Sequence, residues 1–472
     1  MESFMIFHPR NLLRGKGHFV FPKNVCVSAH PCLNKSIIKE FWHNVTFQSS
    51  ELCISPCEEY IFALGNVEKI ALEGEEYSIN VTHEGVCVCG KDEKSLLCGF
   101  MTLLDRFKAI DIDDEVAAEI ECCQIKESAL VSNRMVHFCI FPETELWEIK
   151  RFVRLCGALK YTHIILEFWG MLQYDCMKEL SWKSAFTKED IRPIISEAND
   201  LGLEVIPMFN HWGHASACRV MHGKHVVLDQ NPSLQTYFSE DGWCWDIGKP
   251  KVKALLRRIR NELIELCGEG KYIHIGCDEA YKFDFTQKNM DFICDFINEI
   301  SDEMEAQGRR VIAWGDMFLY RYQHYNPKNN YSCNAPTPEI ERYMLEHLSR
   351  KVVVADWQYN CKQAPVETVS VFQKAGFESL LCPWDCGVPQ MMSVISTVKE
   401  QKLSGFLHTT WHTLSKGMPH VVLAAVLGFE NIDDHGEAWT PTGTAALLRK
   451  IMPVEGDYRK AGWCKFEVDG LW

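Results

Sequence analysis

The sequence predicts an α/β fold, a (β/α)8 barrel preceded by a small α+β domain, and three observations lead there. From about residue 130, short β-rich apolar runs alternate with helices of period about 3.6, and the alternation repeats eight times. Before residue 128 the pattern is short strands and one helix. No Gly-rich phosphate loop follows any early strand, which places a closed barrel ahead of a doubly wound open sheet.

In chain order, residues 77–81 alternate as a strand, a Glu84-Gly85 turn leads to a second strand over 86–89, and 95–107 is an amphipathic helix. These belong to an N-terminal domain over 1–128. The barrel is expected over 129–435, with strands near 135–140, 163–168, 203–208, 272–276, 311–314, 352–356, 379–383 and 406–411. Two intervening helices illustrate the grammar. Thr187-Lys188-Glu189-Asp190 forms a capping box before Ile191, Ile194, Ile195 and Ala198, and Val252, Leu255, Leu256, Ile259 and Leu263 make one stripe. Residues 436–472, with Trp439, Trp463 and Trp472, are expected to pack on the barrel or to meet another subunit in a homodimer.

Composition narrows the function. A chain of 472 residues that is 47% hydrophobic buries more than one core. Its formal charge of −15, without a Lys/Arg-rich run or a basic-aromatic stripe, argues against nucleic acid and anionic membranes and favours an uncharged substrate such as a sugar. No uncharged apolar stretch reaches the roughly 18 to 20 residues that span a bilayer, so a soluble protein is expected. Of the 22 cysteines, most fall inside apolar elements, as Cys87, Cys89 and Cys139 do, where a thiol acts as a small hydrophobe. The start Met1-Glu2-Ser3-Phe4-Met5 has no charged region leading into an apolar run, so reduced thiols and a cytoplasmic setting are expected. Cys53 and Cys57 are the nearest approach to a metal clip, but no second pair stands at zinc spacing; neither metal nor cofactor is expected.

Barrel chemistry sits at the C-terminal strand ends. Strand four runs Tyr272-Ile273-His274-Ile275-Gly276-Cys277-Asp278-Glu279, and alternation sends Ile273 and Ile275 to the helices and Asp278 to the barrel axis, with Glu279 emerging at the turn. Two adjacent carboxylates repel, which favours a protonated one beside an ionised one, the equipment of general acid catalysis. The competing role is a helix N-cap. Trp314, Trp357, Trp384 and Trp411 end strands five to eight and would wall an aromatic cup, or else plug the core. Arg134 opens strand one, Glu167 lies in strand two, and Asn210, His211 and His214 follow strand three. His211, His214, Glu167 and Asp278 could alternatively serve a metal-dependent hydrolase.

At these residues the sequence resembles glycoside hydrolase family 20, the β-N-acetylhexosaminidases. His274-Ile275-Gly276-Cys277-Asp278-Glu279 is similar to the family's His-x-Gly-Gly-Asp-Glu, with Cys277 in place of the second Gly. Gly202 to Pro207 followed by Gly213-His214 resembles Gly-x-x-Val-Ile-Pro then Pro-Gly-His, and Glu75 through Leu104 is similar to the small preceding domain. The resemblance spans about residues 60 to 430. It implies a retaining mechanism in which the substrate's own acetamide oxygen attacks the anomeric carbon through an oxazolinium intermediate. Glu279 would be the acid, Asp278 the orienter of the acetamide, Arg134 a hydroxyl binder, Trp314, Trp357 and Trp411 the walls, and His214 the support of the acid.

The chain also departs from the family pattern. Glu167-Phe168-Trp169-Gly170 replaces the Asp-Asp pair after strand two, Asn210 stands for an Asp, and Trp411-His412-Thr413 lacks the Glu that holds outer hydroxyls. Strand seven ends Cys382-Pro383-Trp384-Asp385 without the family's Tyr, which leaves Tyr359 or Tyr320 to donate to the acetamide and puts Trp384 and Asp385 at the sugar. The expectation is an exo-acting hydrolase of terminal GlcNAc or GalNAc on small glycans, with a non-catalytic carbohydrate-binding protein as the alternative.

Overall fold

The computed structural model describes residues 5–47, 52–216, 227–322, 329–385, 387–411, 414–430 and 440–453. Eight strands build the first sheet: β1 (Leu12–Val20), β2 (Cys26–Ala29), β3 (Cys53–Pro56), β4 (Ile61–Gly65), β5 (Tyr77–Thr82), β6 (Gly85–Gly90), β7 (Lys108–Ile112) and β8 (Glu115–Glu127). Their order is β1-β8-β5-β6-β4-β2-β3, with β7 on β8, and only β2 and β3 run parallel. The helix Glu93–Asp105 lies where the amphipathic pattern put it. A second helix, Ser36–Thr46, was not expected. Its Ile, Phe, Trp and Val residues favour strands when read locally, and no side chain caps its start. Tertiary packing decides instead: Trp42, fully buried, meets Phe21, Phe62, Phe100 and Phe107.

The second sheet holds eight parallel strands, β9 (Asn133–Cys139), β10 (His163–Glu167), β11 (Glu204–Pro207), β12 (Tyr272–His274), β13 (Arg310–Trp314), β14 (Val353–Trp357), β15 (Glu378–Cys382) and β16 (Gly405–His408). Their order is β11-β10-β9-β16-β15-β14-β13-β12. A Met208–His274 bridge closes the ring, with Phe209 N–H donating to His274 O at 3.2 Å and His211 N–H to Ile275 O at 2.9 Å. Each strand lies where the sequence placed one, although β16 stops short of 411. Beyond His408 the backbone leaves the ladder, because Thr410 N–H turns to the side chain of His137 at 3.4 Å.

Alternation sorts the apolar side chains into two separate shells. Met135, Ile165, Ile206, Ile312, Val353 and Leu380 fill the interior with Tyr272 and Trp314, while Ile273 and Ile275 join the outer core under the helices. The parity read from strand four is therefore the parity of the barrel. Between α-elements the capping box at Thr187 is formed, with Asp190 N–H donating to Thr187 Oγ1 and Thr187 N–H to Asp190 Oδ2.

The N-terminal domain braces the opposite end of the barrel from the carboxylates. A cavity of about 270 Å³ at this junction is lined by Lys91, Ser95, Arg134, His163, Glu204 and Lys271. Arg134 thus corrects the sequence reading. At the N-terminal end of β9 its guanidinium donates to Lys160 O at 3.0 and 2.8 Å and to Val131 O at 2.6 Å, at the other end of the strand from the carboxylates. Opening a barrel strand puts a residue at the bottom. Of the C-terminal extension, the helix Pro441–Ile451 packs between Ser36–Thr46 and Leu146–Ala158, and Lys450 Nζ donates to Asp105 O at 2.9 Å. Trp439, Trp463 and Trp472 lie outside the described residues.

Gly405 shows how tightly the ring is closed, since a Cβ there would stand 2.1 Å from Asn133 O on β9. Gly405→Ala is expected to destabilise the fold by about 1 to 3 kcal/mol through overpacking, read as a lower midpoint in denaturant unfolding. An unchanged midpoint would show that β9 and β16 have slack that this geometry lacks.

Candidate active site

After β12 the backbone passes through a left-handed turn, with φ of 66° at Gly276, 73° at Cys277 and 50° at Glu279. Gly276 is required twice over, because a Cβ would also meet Asn210 Oδ1 at 1.4 Å. A Cβ on Gly213 would meet Asp278 O at 1.9 Å. These two glycines let the loops after β11 and β12 interlock. Cys277 and Glu279 hold the same region without a glycine's freedom, strain of order 1 to 3 kcal/mol each that the packed surroundings offset. The next helix begins only at Gln287, with Thr286 at its N-cap, so Asp278 and Glu279 do not cap a helix.

Both carboxylates face His214, whose Nε2 lies 3.4 Å from Asp278 Oδ2 and 3.1 Å from Glu279 Oε2. Burial opposes charge on His214, but the two carboxylates outweigh it and raise the imidazole to about 10. The repulsion expected between the acids is thus answered by a shared imidazolium. Trp243 packs on the His214 ring at 4.7 Å, donates Nε1–H to Glu279 O at 2.6 Å, and was not anticipated from the sequence. Asp278 is 6% exposed, and its Oδ1 is buried with no hydrogen-bond partner among the described residues.

A third carboxyl, absent from the sequence reading, completes the turn. Asp316, fully buried just after β13, accepts Glu279 N–H at 3.0 Å and Asn334 Nδ2–H at 2.7 Å on Oδ2, and Trp357 Nε1–H at 3.1 Å on Oδ1. Burial first, then the nearby Asp278, push it well above the carboxylate range, while the donors from Glu279 and Trp357 pull the other way. Its signal was available: Trp314-Gly315-Asp316 puts an acid just past a strand end.

The aromatic residues form a floor and a wall. Trp314 is fully buried, 4.3 Å from the His274 ring and 6.0 Å from Trp411, so it is floor, not the wall expected. Trp357, Tyr359 and Trp384 follow in a string at 5.1 and 5.0 Å, and Trp411 Nε1–H donates to Tyr359 Oη at 2.8 Å. Burial holds the Tyr359 phenol well above its usual value, so it stays a donor. Tyr320 pairs instead with Tyr322. Asp385, next to Trp384, is half-buried at the end of the same strand.

Glu167 is assembled differently from expectation. It binds His137 Nε2 at 2.8 Å, and because His137 Nδ1 accepts Thr410 N–H, the neutral ring carries its proton on Nε2 and donates it to Glu167. His211 donates Nδ1–H to Phe209 O at 2.6 Å and accepts from Arg260 Nη1 at 3.1 Å, and burial lowers its pKa to about 3. With both His211 nitrogens engaged and Glu167 tied to His137, the metal-ligand set considered from sequence is not brought together. Asn210 does reach the site, its Oδ1 buried beside Gly276 with no hydrogen-bond partner among the described residues.

Residues 165–383 match the model of the glycosyl hydrolase family 20 catalytic domain. A lacto-N-biosidase of Bifidobacterium bifidum is 24% identical over 185 residues, which cover 36% of this chain and 16% of that protein. A β-hexosaminidase of Porphyromonas gingivalis is 22% identical over 290 residues, 52% of this chain and 36% of that one. The chain therefore aligns with well under half of either relative's length. Among solved structures, the Flavobacterium johnsoniae chitobiase superposes with a TM-score of 0.67 at 16% identity, over 95% of this chain and 72% of that one, a likeness of fold.

The raised His214 pKa carries a signed consequence. Its stabilisation is fully present below the ordinary value of 6.5 and is lost as pH rises through about 10. The gap in melting temperature between the unaltered protein and His214→Gln should narrow from pH 6 to pH 10. A gap constant over that window would mean that His214 is neutral in the folded protein.

Proposed function

We propose that the chain, whose residues 165–383 match the glycosyl hydrolase family 20 catalytic domain, is a hydrolase of that family and an exo-acting β-N-acetylhexosaminidase, removing terminal GlcNAc or GalNAc with retention by substrate assistance. One observation carries the reading: the buried, unpartnered Oδ1 of Asp278 beside Glu279 at the barrel mouth. A buried acceptor without a donor is costly, and a ligand N–H relieves that cost. The acetamide of an N-acetylhexosamine supplies such an N–H next to the anomeric carbon.

In this reading the acetamide N–H donates to Asp278 while Tyr359 O–H steadies its carbonyl oxygen, which attacks the anomeric carbon. Glu279 protonates the departing glycosidic oxygen, and the ionised Asp278 stabilises the oxazolinium charge. Water, activated by the same Glu279, then opens the ring. His214 keeps a proton 3.1 Å from Glu279 Oε2, a reservoir from which the acid is recharged. Trp357 and Trp411, which are partly exposed, receive the apolar sugar face. The setting that fits the expected reduced thiols is the cytoplasm, with small glycans as substrates.

The test is hydrolysis of aryl β-glycosides of GlcNAc, GalNAc and glucose, with EDTA present, and an aryl lacto-N-bioside because one relative is a lacto-N-biosidase. N-acetyl sugars should be cleaved and glucose spared. Asp278→Asn and Glu279→Gln should each lower kcat by roughly 10²- to 10⁴-fold. Comparable cleavage of the glucoside, or an Asp278→Asn variant of undiminished rate, would defeat the acetamide role.

A further inference from the structure

Among the described cysteines, Cys26 and Cys53 are the exposed ones, and the fold places them side by side. They are register partners on the parallel strands β2 and β3, and their Sγ atoms lie 3.5 Å apart. β3 is the edge of the N-terminal sheet, and the pair sits on its outer face, while the intervening Val27 and Ala29 face the core. Neighbouring strands stand about 4.7 to 4.9 Å apart, inside the Cα separation of about 4.4 to 6.8 Å that a disulfide accepts. Closing the sulfurs from 3.5 Å to a bond of about 2.05 Å needs side-chain rotation and a small inward shift of the edge strand. The contrast with other thiols is one of access: burial pushes Cys32, Cys244 and Cys267 up to about 12, whereas Cys53 is exposed and is raised by its hydrogen bond to Cys26, the contact along which the bond would form.

We propose that Cys26 and Cys53 are a modification site, a dithiol reversibly oxidised to a cross-strand disulfide by a small-molecule disulfide of the glutathione class. One thiolate attacks a sulfur of the oxidised glutathione, forming a mixed disulfide and expelling one glutathione thiolate. The second protein thiolate then attacks the mixed disulfide at the protein sulfur and expels the other glutathione. The pair loses two electrons and two protons, and one glutathione disulfide becomes two thiols. The bond would pin the edge strand β3 to β2 and close a segment containing the helix Ser36–Thr46, restricting the unfolded chain. No step depends on the hydrolase reaction.

The experiment equilibrates the full reduced chain, with EDTA, in buffers of rising glutathione disulfide to glutathione ratio, then quenches with acid, alkylates under denaturing conditions and maps peptides by mass. A Cys26–Cys53 linked peptide should form before other thiols react, vanish in excess glutathione, and accompany a rise of a few degrees in melting temperature. Cys26→Ser should instead carry glutathione on Cys53. Separate glutathionylation of both cysteines in the unaltered chain, persistence of both as free thiols, or a linked peptide without a rise in melting temperature would overturn the proposal.

Discussion

The buried carboxyl of Asp316 holds three loops of the barrel mouth in one arrangement. Through it the amide of Glu279, the indole of Trp357 and the side chain of Asn334 converge on two oxygens. Each such bond contributes about 0.5 to 1.5 kcal/mol net, and removing the acceptor would strand buried donors besides. The left-handed turn that presents Asp278 and Glu279 is strained and would relax without an anchor. Asp316 provides that anchor and sets the height of Trp357 in the same stroke. Acid and aromatic wall are thereby fixed to each other rather than separately to the scaffold.

That arrangement rests in turn on the barrel's alternation. Because Ile273 and Ile275 belong to the outer core, His274, Gly276 and Asp278 must face inward, and the interior is filled from Tyr272 up to Trp314. The floor of the site is thus the top layer of a packed core, which gives its aromatic rings no freedom to collapse into the mouth. The N-terminal domain contributes at the other end, where the helix Glu93–Asp105 and Arg134 line the cavity at the bottom of the barrel. Arg134 is structural for a simple reason: a guanidinium engaged by three backbone carbonyls has little left to offer a ligand.

What the sequence made legible follows the physics of each signal. Strand position and inward parity come from short-range periodicity, and they agree with the structure. The helix Ser36–Thr46 was opaque because its aromatic and β-branched residues prefer strands locally and only packing against Phe62 and Phe100 decides otherwise. The partner of His137 was opaque because it depends on which strand lies beside β9 and on a backbone amide from the far end of the barrel. Asp316 was readable by position but its role was not, since its three donors come from loops distant in sequence. Contacts between loops of different strands are what a single sequence conceals.

The departures around strand two reduce to a question of where charge is placed. In this chain His214 finds both of its carboxylates within the acid pair itself, so no third acid is needed to hold its proton. Glu167, standing where the family pattern has aspartates, is released to bind His137, whose ring packs on Trp411 at 4.5 Å. The same substitution therefore does two things. It leaves the His214 proton shared between Asp278 and Glu279, and it ties the strand-two carboxylate to the imidazole that packs on Trp411. The acid turn and the aromatic wall are thus each held by carboxyls of this chain, the turn by Asp316 and the wall by Asp316 and Glu167.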